Sequence, residues 1–239
     1  MHPRRIVVLT GAGISAESGL RTFRDAGGLW EGHRVEDVAT PEGFRTDPER
    51  VHAFYNERRA QLASVQPNEA HLALARLEAQ WPGDFLLVTQ NVDDLHDRAG
   101  SVNLLHMHGE LLKVRCMACR AVLGWTGGTG PGTPCPACGA TRLRPHIVWF
   151  GEVPLHMDTI MEALEACDCF IAIGTSGQVY PAAGFFEAVP DRCRTVELNM
   201  ELSAVSSRFR ERRQGPAGLC VPRLVEELLD GLPKGRPSP

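Results

Sequence analysis

Four cysteines stand in two pairs, Cys116-x-x-Cys119 and Cys135-x-x-Cys138, with fifteen residues between the pairs. Zinc ribbons use this spacing: each pair grips the metal from one knuckle, and four thiolates close a tetrahedral shell. A closed shell leaves no water to activate, so a zinc ion held there supplies structure and no chemistry. The alternatives are four unligated thiols in a loop, or a ribbon that reads nucleic acid. Few cations support the latter, namely Lys113, Arg115 and Arg120 around the first pair.

A second group of residues could hold a nucleotide. Gly11-x-Gly13-x-x-Ala16 follows the apolar run Ile6-Val7-Val8-Leu9 and fits the dinucleotide fingerprint. There the first two glycines allow a tight turn and close approach to pyrophosphate, a small third residue lets a helix pack on the sheet, and the helix N-terminus faces the phosphates. A plain glycine turn between strand and helix is the other reading. A dehydrogenase would place an acid about 20 positions on, at the end of a second strand. Glu36 and Asp37 have no apolar run before them, which argues against hydride transfer.

Further polar groups follow apolar runs. Thr89-Gln90-Asn91-Val92-Asp93-Asp94 is either a capping turn or part of a ligand edge. In His106-Met107-His108-Gly109-Glu110 a histidine is a natural proton acceptor near neutral pH, and period two puts both on one face. The residues alone do not choose between them. Gly174-Thr175-Ser176 and Asn199 close two more runs, reading singly as a turn glycine or a cap. Arg144 to Glu152 reads as an extended segment, either an edge strand with core aromatics or an edge that pairs with a peptide. Tyr55 and Arg58, three apart, share a helical face, and their neighbours Glu57 and Arg59 favour a solvated one.

The elements that must position these groups are legible as alternation. Strands are expected at Ile6–Leu9, Phe85–Thr89, Asn103–His106, Phe170–Ile173 and Thr195–Leu198, and helices at Val51–Ala63, Asn68–Ala79, Leu155–Ala166, Pro181–Val189 and Val221–Leu232, the last with Pro222 in its first turn. This predicts an α/β fold: a Rossmann-like, doubly wound parallel sheet with ligand at the carboxyl ends of its strands. Gly28 to Gln80, with two helices, and Lys113 to Arg144 break the alternation as insertions that build a smaller domain. The expected division is 1–27, 81–112 and 145–232 for the sheet domain, 28–80 for a helical insert, 113–144 for the zinc ribbon and 233–239 for a flexible tail.

Composition sets outer bounds. The 239 residues are 43% hydrophobic, enough for a full core, and the net charge of −4 implies no nucleic-acid partner. Only Lys113 and Lys234 are lysines among 25 cations, so the positive charge is almost all arginine. No apolar run reaches the roughly 18 residues of a membrane span. Eight cysteines without an export signal argue for metal or free thiols, so a cytoplasmic location is expected.

The block from Thr10 to Asp25, with Ser15-x-x-Ser18-Gly19-x-x-x-Phe23-Arg24, resembles the opening motif of the sirtuins, the NAD-dependent protein-lysine deacylases. The resemblance runs from about Ile6 to Leu229. It implies that Gly11, Ala12, Gly13, Ile14, Ala16, Phe23, Arg24, Gln90, Asn91, Val92, Asp93, Gly174, Thr175, Ser176, Val179, Asn199 and Cys220 hold NAD. Asn91 and Asp93 would line the nicotinamide pocket, Phe23 would screen the ribose from water, and His108, standing just before Gly109, would be the general base. Val148, Phe150, Gly151, Glu152 and Val153 would pair with the acylated substrate. Arg21-Thr22-Phe23-Arg24 resembles the branch that removes acidic acyl groups, in which Tyr55 and Arg58 would bind the acyl carboxylate and Ala26 would leave room for it. Asp94 stands where many members have glycine, and its charge could repel an acidic substrate.

In the implied reaction the acyl oxygen attacks the ribose carbon bearing nicotinamide. Free lysine, nicotinamide and O-acyl-ADP-ribose then leave, and the one zinc is structural. Two alternatives stay open: a protein mono-ADP-ribosyltransferase using the same NAD, and a non-catalytic NAD-sensing or zinc-ribbon binding protein.

Overall fold

The computed structural model describes residues 3–21 and 29–232. Phe23, Arg24, Ala26 and the tail 233–239 lie outside the described residues. In chain order the strands are β1 (Arg5–Thr10), β2 (Leu29–Trp30), β3 (His33–Arg34), β4 (Asp84–Thr89), β5 (Leu104–His106), β6 (Gly109–Cys116), β7 (Val122–Gly124), β8 (Leu143–Ile147), β9 (Cys169–Ile173), β10 (Arg194–Asn199) and β11 (Glu211–Gln214). The α-helices are α1 (Val35–Val38), α2 (Pro41–Thr46), α3 (Pro48–Leu62), α4 (Glu69–Gln80), α5 (Leu95–Ala99), α6 (Met157–Ala166) and α7 (Ala217–Asp230).

Six strands form one sheet in the order β11-β10-β9-β1-β4-β5, every pair parallel. The chain fills one side from β1 through β4 to β5, then crosses to β9 and continues outward. The switch point therefore falls between β1 and β9, where a doubly wound sheet opens a crevice at its carboxyl edge. Alternation along β1 feeds two cores: Ile6 and Val8 pack with α4 and α7, whereas Val7 and Leu9 pack with α6 and Phe209. A period of two with both faces apolar is what a central parallel strand requires.

A third core joins α1–α3 to Leu95, Leu111, Ile147 and Trp149, and a fourth gathers Val114, Cys116, Cys135 and Leu143. Within the expected insert 28–80, α4 sits in the sheet core through Ala70, Ala73, Leu74 and Leu77. The antiparallel sheet β7-β6-β8 carries the cysteine module.

Four local expectations are corrected. The glycine loop leads into two 3-10 turns, Ala12–Ile14 and Ala16–Ser18, because Gly19 turns left-handed at φ 95° and ends the coil. The insert holds four helices where two were expected: Thr40 caps α2 ahead of Pro41, and Asp47 caps α3 ahead of Pro48. Helix α7 begins at Ala217 behind Pro216, so Pro222 lies inside it and merely forgoes one backbone bond. Residues Ala182–Ala188 form a 3-10 helix.

Candidate active site

A cleft of about 930 Å³ opens at the carboxyl edge of the sheet, between it and the α1–α3 layer. Its floor is two loops in backbone contact. Gly11 N–H donates to Ile173 O and Gly13 N–H to Gly174 O, each at 2.9 Å. A Cβ on Gly13 would lie 2.6 Å from Gly174 Cα, and one on Gly174 would lie 2.4 Å from Ile14 N. These glycines are thus demanded by the approach of one loop to the other.

Gln90, Asn91, Val92 and Asp93 follow β4 into this cleft. Asn91 Nδ2 donates to Ser15 Oγ, and Ser15 donates to Asp93 Oδ2, both at 3.1 Å. Asp93 Oδ1 accepts the Leu95 N–H. Burial raises the Asp93 pKa above the ordinary carboxylate value, against the pull of these two bonds. Asp94 does not line the cleft: its Oδ1 lies 3.6 Å from Arg98 Nη1, so the expected repulsion of an acidic substrate has no geometric basis.

The two histidines part company because Met107 and His108 form a turn after β5, which breaks the expected period of two. His106 is buried and does not line the cleft, its Nε2 3.0 Å from Asp97 Oδ2. Burial pushes the His106 pKa down, and the Asp97 carboxylate, together with Glu110 and the Asn91 backbone, outweighs it, leaving a net rise. His108 lines the cleft, with Nδ1 3.0 Å from the Gln90 carbonyl oxygen and a pKa lowered chiefly by burial.

On the opposite wall, Tyr55 and Arg58 line the same cleft, which overturns the solvated-face alternative. Tyr55 is fully buried, and its hydroxyl accepts the Trp149 Nε1–H at 2.9 Å. The Arg58 side chain is only 16% exposed and lies over the Phe54 ring, with Nη2 3.2 Å from Glu57. Its Nε and Nη1 are buried and have no hydrogen-bond partner among the described residues. Guanidinium donors left without a partner in a cleft wall fit a carboxylate.

The segment after β8 is extended only as far as Trp149. Phe150 and Gly151 then turn, because Glu152 closes back on the chain. Its carboxylate takes Arg144 fork to fork at 2.7 and 3.0 Å and also accepts the Trp149 N–H. The Arg144 guanidinium stacks on the Trp149 ring at 3.5 Å. Val148, Phe150, Gly151 and Glu152 line the cleft, whereas Val153 faces solvent.

At the far end, Ala12, Ala16, Thr175, Ser176, Val179 and Asn199 line the cleft, and Asn199 Nδ2 braces the Thr175 carbonyl at 2.7 Å. Ile14 is buried beneath the loop, and Cys220 packs against Gly215 behind the cleft wall.

A model of the Sir2 family matches residues 11–181. The chain belongs to the Sir2 family. It is 61% identical over 239 residues to an NAD-dependent protein deacylase of Escherichia coli (strain K12), covering 98% of this chain and 86% of that protein. A solved complex of a Sir2 homologue with NAD superposes with a TM-score of 0.87 at 39% identity, covering 95% of this chain and 90% of the other. A Sir2 protein bound to a myristoylated histone peptide superposes at 0.71 and 30% identity, covering 95% and 91%.

In this sirtuin the four cysteine sulfurs lie within 4.8 Å of one another, with Cys116–Cys138 at 3.7 Å and Cys119–Cys135 at 3.9 Å. Zinc–sulfur bonds of about 2.3 Å put tetrahedral ligands about 3.8 Å apart, so the set fits one zinc ion. The two knuckles repeat each other. Cys116 N–H donates to Ala121 O and Cys135 N–H to Ala140 O, and the left-handed residues Arg120 and Gly139 occupy matching places.

Sequence reasoning gave no role to Ser15, His71 or His96, which lie buried beside the site. His96 Nε2 lies 3.0 Å from Thr10 Oγ1, which donates to Thr89 Oγ1 at 2.9 Å. The available signal was a histidine on the apolar face of α4, three residues after its Asn68 cap.

Proposed function

We propose that this chain is an NAD-dependent protein-lysine deacylase that removes acetyl groups and also succinyl and malonyl groups. The observation that carries the reading is the placement of His108, Asn91 and Asp93 around one cleft at the switch point of a Sir2 sheet. Bound NAD supplies a ribose carbon with a good leaving group, nicotinamide. Asn91 and Asp93 bind and orient that leaving group with donor and acceptor atoms fixed through Ser15. The loop carrying Gly11 and Gly13, with Thr175 and Ser176 opposite, holds the phosphate end, and Val179 and Asn199 the adenosine end. His108 accepts a proton at Nε2, because Nδ1 is committed to the Gln90 carbonyl and burial favours the neutral ring.

The extension to acidic acyl groups rests on Arg58 and Tyr55, which line the cleft together, and on two buried guanidinium donors of Arg58 that find no partner among the described residues. The substrate is an acylated lysine on another protein, held along Val148 to Glu152. Cys116, Cys119, Cys135 and Cys138 hold one structural zinc, which crosslinks the module and leaves no open position for catalysis. We assign 1–27, 81–112 and 145–232 to the NAD-binding domain together with α4, whose apolar face lies in the sheet core, and the rest of 28–80 and 113–144 to its two insertions. We assign a cytoplasmic location, a reducing compartment in which the thiolates that hold the zinc persist. Among the described residues no helix is long and apolar enough to cross a membrane.

The test is nicotinamide release with and without acetyl- and succinyl-lysine peptides, with the products identified by mass. Release that depends on the peptide and yields O-acyl-ADP-ribose supports the deacylase. Equal release without peptide would favour mono-ADP-ribosyl transfer, and none under any condition would favour a binding protein.

A further inference from the structure

Helix α3 carries two stripes of polar side chains, and the reaction above uses only one. Tyr55, Arg58 and Leu62, at i, i+3 and i+7, line the cleft. His52, Asn56 and Arg59, at i, i+4 and i+7, meet instead the loop that joins the two cysteine knuckles. This second stripe is no solvated face, since His52 and Arg59 are buried, as is Thr129 on the loop.

Asn56 is the centre of the contact. Its Nδ2 donates to the Thr129 carbonyl at 2.8 Å, and its Oδ1 accepts the Thr129 N–H at 2.9 Å. One side-chain amide thus pairs with both backbone groups of one residue. Oδ1 also accepts from Arg59 Nη1 at 2.9 Å, and the same nitrogen donates to Gly127 O at 3.1 Å. The amide cannot be turned over, because its NH2 would then face two donors. Arg59 Nε donates to Leu111 O at 2.9 Å and ties the clamp to β6. His52 Nδ1 lies 2.8 Å from Thr129 Oγ1 at the other end of the stripe.

The apolar packing of Val51 and Phe54 keeps α3 in its layer, but such packing has no direction and tolerates small rotations. Hydrogen bonds do have direction, and those of Asn56 and Arg59 fix the helix about its axis. Both stripes belong to one rigid rod. A rotation that opened the clamp would therefore shift Arg58 in the cleft wall.

We propose that Asn56 and Arg59 are positioning residues for acyl selectivity, through which loop 127–129 of the cysteine module holds Tyr55 and Arg58 in place. Neither residue touches substrate. A guanidinium meets a carboxylate through a planar fork, which demands alignment, whereas an acetyl group makes no such demand. The clamp is felt by acidic acyl groups and not by acetyl. This inference rests on the reading that Arg58 binds an acyl carboxylate.

The experiment measures kcat/KM for matched succinyl- and acetyl-lysine peptides, with the KM of NAD. The variants are Asn56→Ala, Asn56→Asp, Arg58→Met and the double variant Asn56→Ala/Arg58→Met. Asn56→Ala should lower the succinyl value by roughly 10- to 100-fold, the worth of one hydrogen bond to a charged group, with the acetyl value and the KM of NAD little changed. Aspartate keeps an acceptor for the Thr129 N–H and for Arg59, so it should recover most of the loss. In the Arg58→Met background Asn56→Ala should add nothing on the succinyl peptide, as required of residues acting through one guanidinium. If Asn56→Ala fails to fold, Thr129→Pro strips the loop of the same N–H without touching α3 and should show the same selective loss. Equal losses on both peptides, no loss on either, an Asn56→Asp protein as impaired as Asn56→Ala, or a full additional loss in the Arg58→Met background would overturn the proposal. A selective loss in Arg58→Met with none in Asn56→Ala sinks the clamp alone, whereas equal losses in Arg58→Met sink the carboxylate reading and the clamp with it.

Discussion

His108 Nδ1 lies 3.0 Å from the carbonyl oxygen of Gln90, and a carbonyl can only accept, so the ring proton resides on Nδ1 and Nε2 is the basic nitrogen. Burial lowers the pKa of this histidine, so the neutral base predominates at pH 7. The acidic limb of kcat/KM should therefore lie below pH 6.5, with activity lost as pH falls through it and no loss on this account above it. His108→Ala should lower kcat by roughly 10²–10⁴-fold while NAD still binds. His106→Ala, which breaks the pair with Asp97 and removes no group that lines the cleft, should keep its turnover. The reverse outcome would move the base to His106.

Arg58 has buried donors that find no partner among the described residues, so its loss should be read by the charge of the acyl group. Truncating one partner of a buried charge pair costs about 2–5 kcal/mol, roughly 30-fold to a few thousandfold in kcat/KM. Arg58→Met should impose that loss on a succinyl peptide and far less on a matched acetyl peptide. Tyr55→Phe, which keeps the ring in its core, should be a milder copy. Equal losses on both peptides would show that Arg58 supports the wall of the cleft and not the acyl carboxylate.

The cysteine module has a small core of its own, Val114, Cys116, Cys135 and Leu143, too little to hold a fold without a crosslink. Metal analysis should find one zinc per chain. Cys135→Ser, or a strong chelator, should lower the melting temperature and solubility together with activity, because metal binding and module folding are coupled. A metal-free Cys135→Ser protein with wild-type melting and turnover would contradict the structural role.

Much of this was legible in the chain. Runs such as Ile6–Leu9 announce buried parallel strands because both faces of the sheet are covered, so no polar residue interrupts them. The cysteine spacing and the polar residues ending each run named the zinc module and the edge of the cleft. What local pattern could not supply is contact between distant segments. Arg58 looked solvated beside Glu57, and only the fold shows it over the Phe54 ring, in a cleft wall where Tyr55 bonds Trp149, 94 positions away. The split between His106 and His108 depends on a turn at Met107.

Buried neutral histidines should make this protein acid-sensitive well above the carboxylate range. Burial lowers the pKa of His71 to about 4 and that of His96 well below the ordinary value, with His52 and His108 shifted the same way. Each is protonated in the unfolded chain below pH 6.5 but not in the folded one. The unfolded state then binds more protons, and unfolding free energy decreases as pH falls through this window. His71 alone accounts for up to about 3 kcal/mol by pH 4. His106 works in the opposite sense, its raised pKa adding stability at low pH that is lost as pH rises. Urea midpoints should be flat from pH 8 to 7 and fall steadily from 6.5 to 4.5, and His71→Gln should flatten that slope. A midpoint constant down to pH 4.5 would mean that these rings are solvated.

The contact between Gly13 and Gly174 gives a last prediction, which separates a glycine kept for the ligand from one kept for the fold. A Cβ on Gly13 would meet Gly174 Cα at 2.6 Å and its carbonyl oxygen at 2.8 Å. Both are backbone atoms, so no side chain can swing aside, and the β1 and β9 loops must separate. Overpacking of this kind costs about 1–3 kcal/mol. Gly13→Ala should thus lower the melting temperature of the protein even without NAD, and should weaken NAD binding because the separated loops form the floor of the cleft. Gly174→Ala should do the same, with the added penalty of its left-handed backbone, φ 63°. If the ligand alone demanded these glycines, Gly13→Ala would melt like the wild type in the absence of NAD and differ only in NAD affinity. Thermal unfolding of both variants with and without NAD decides between the two.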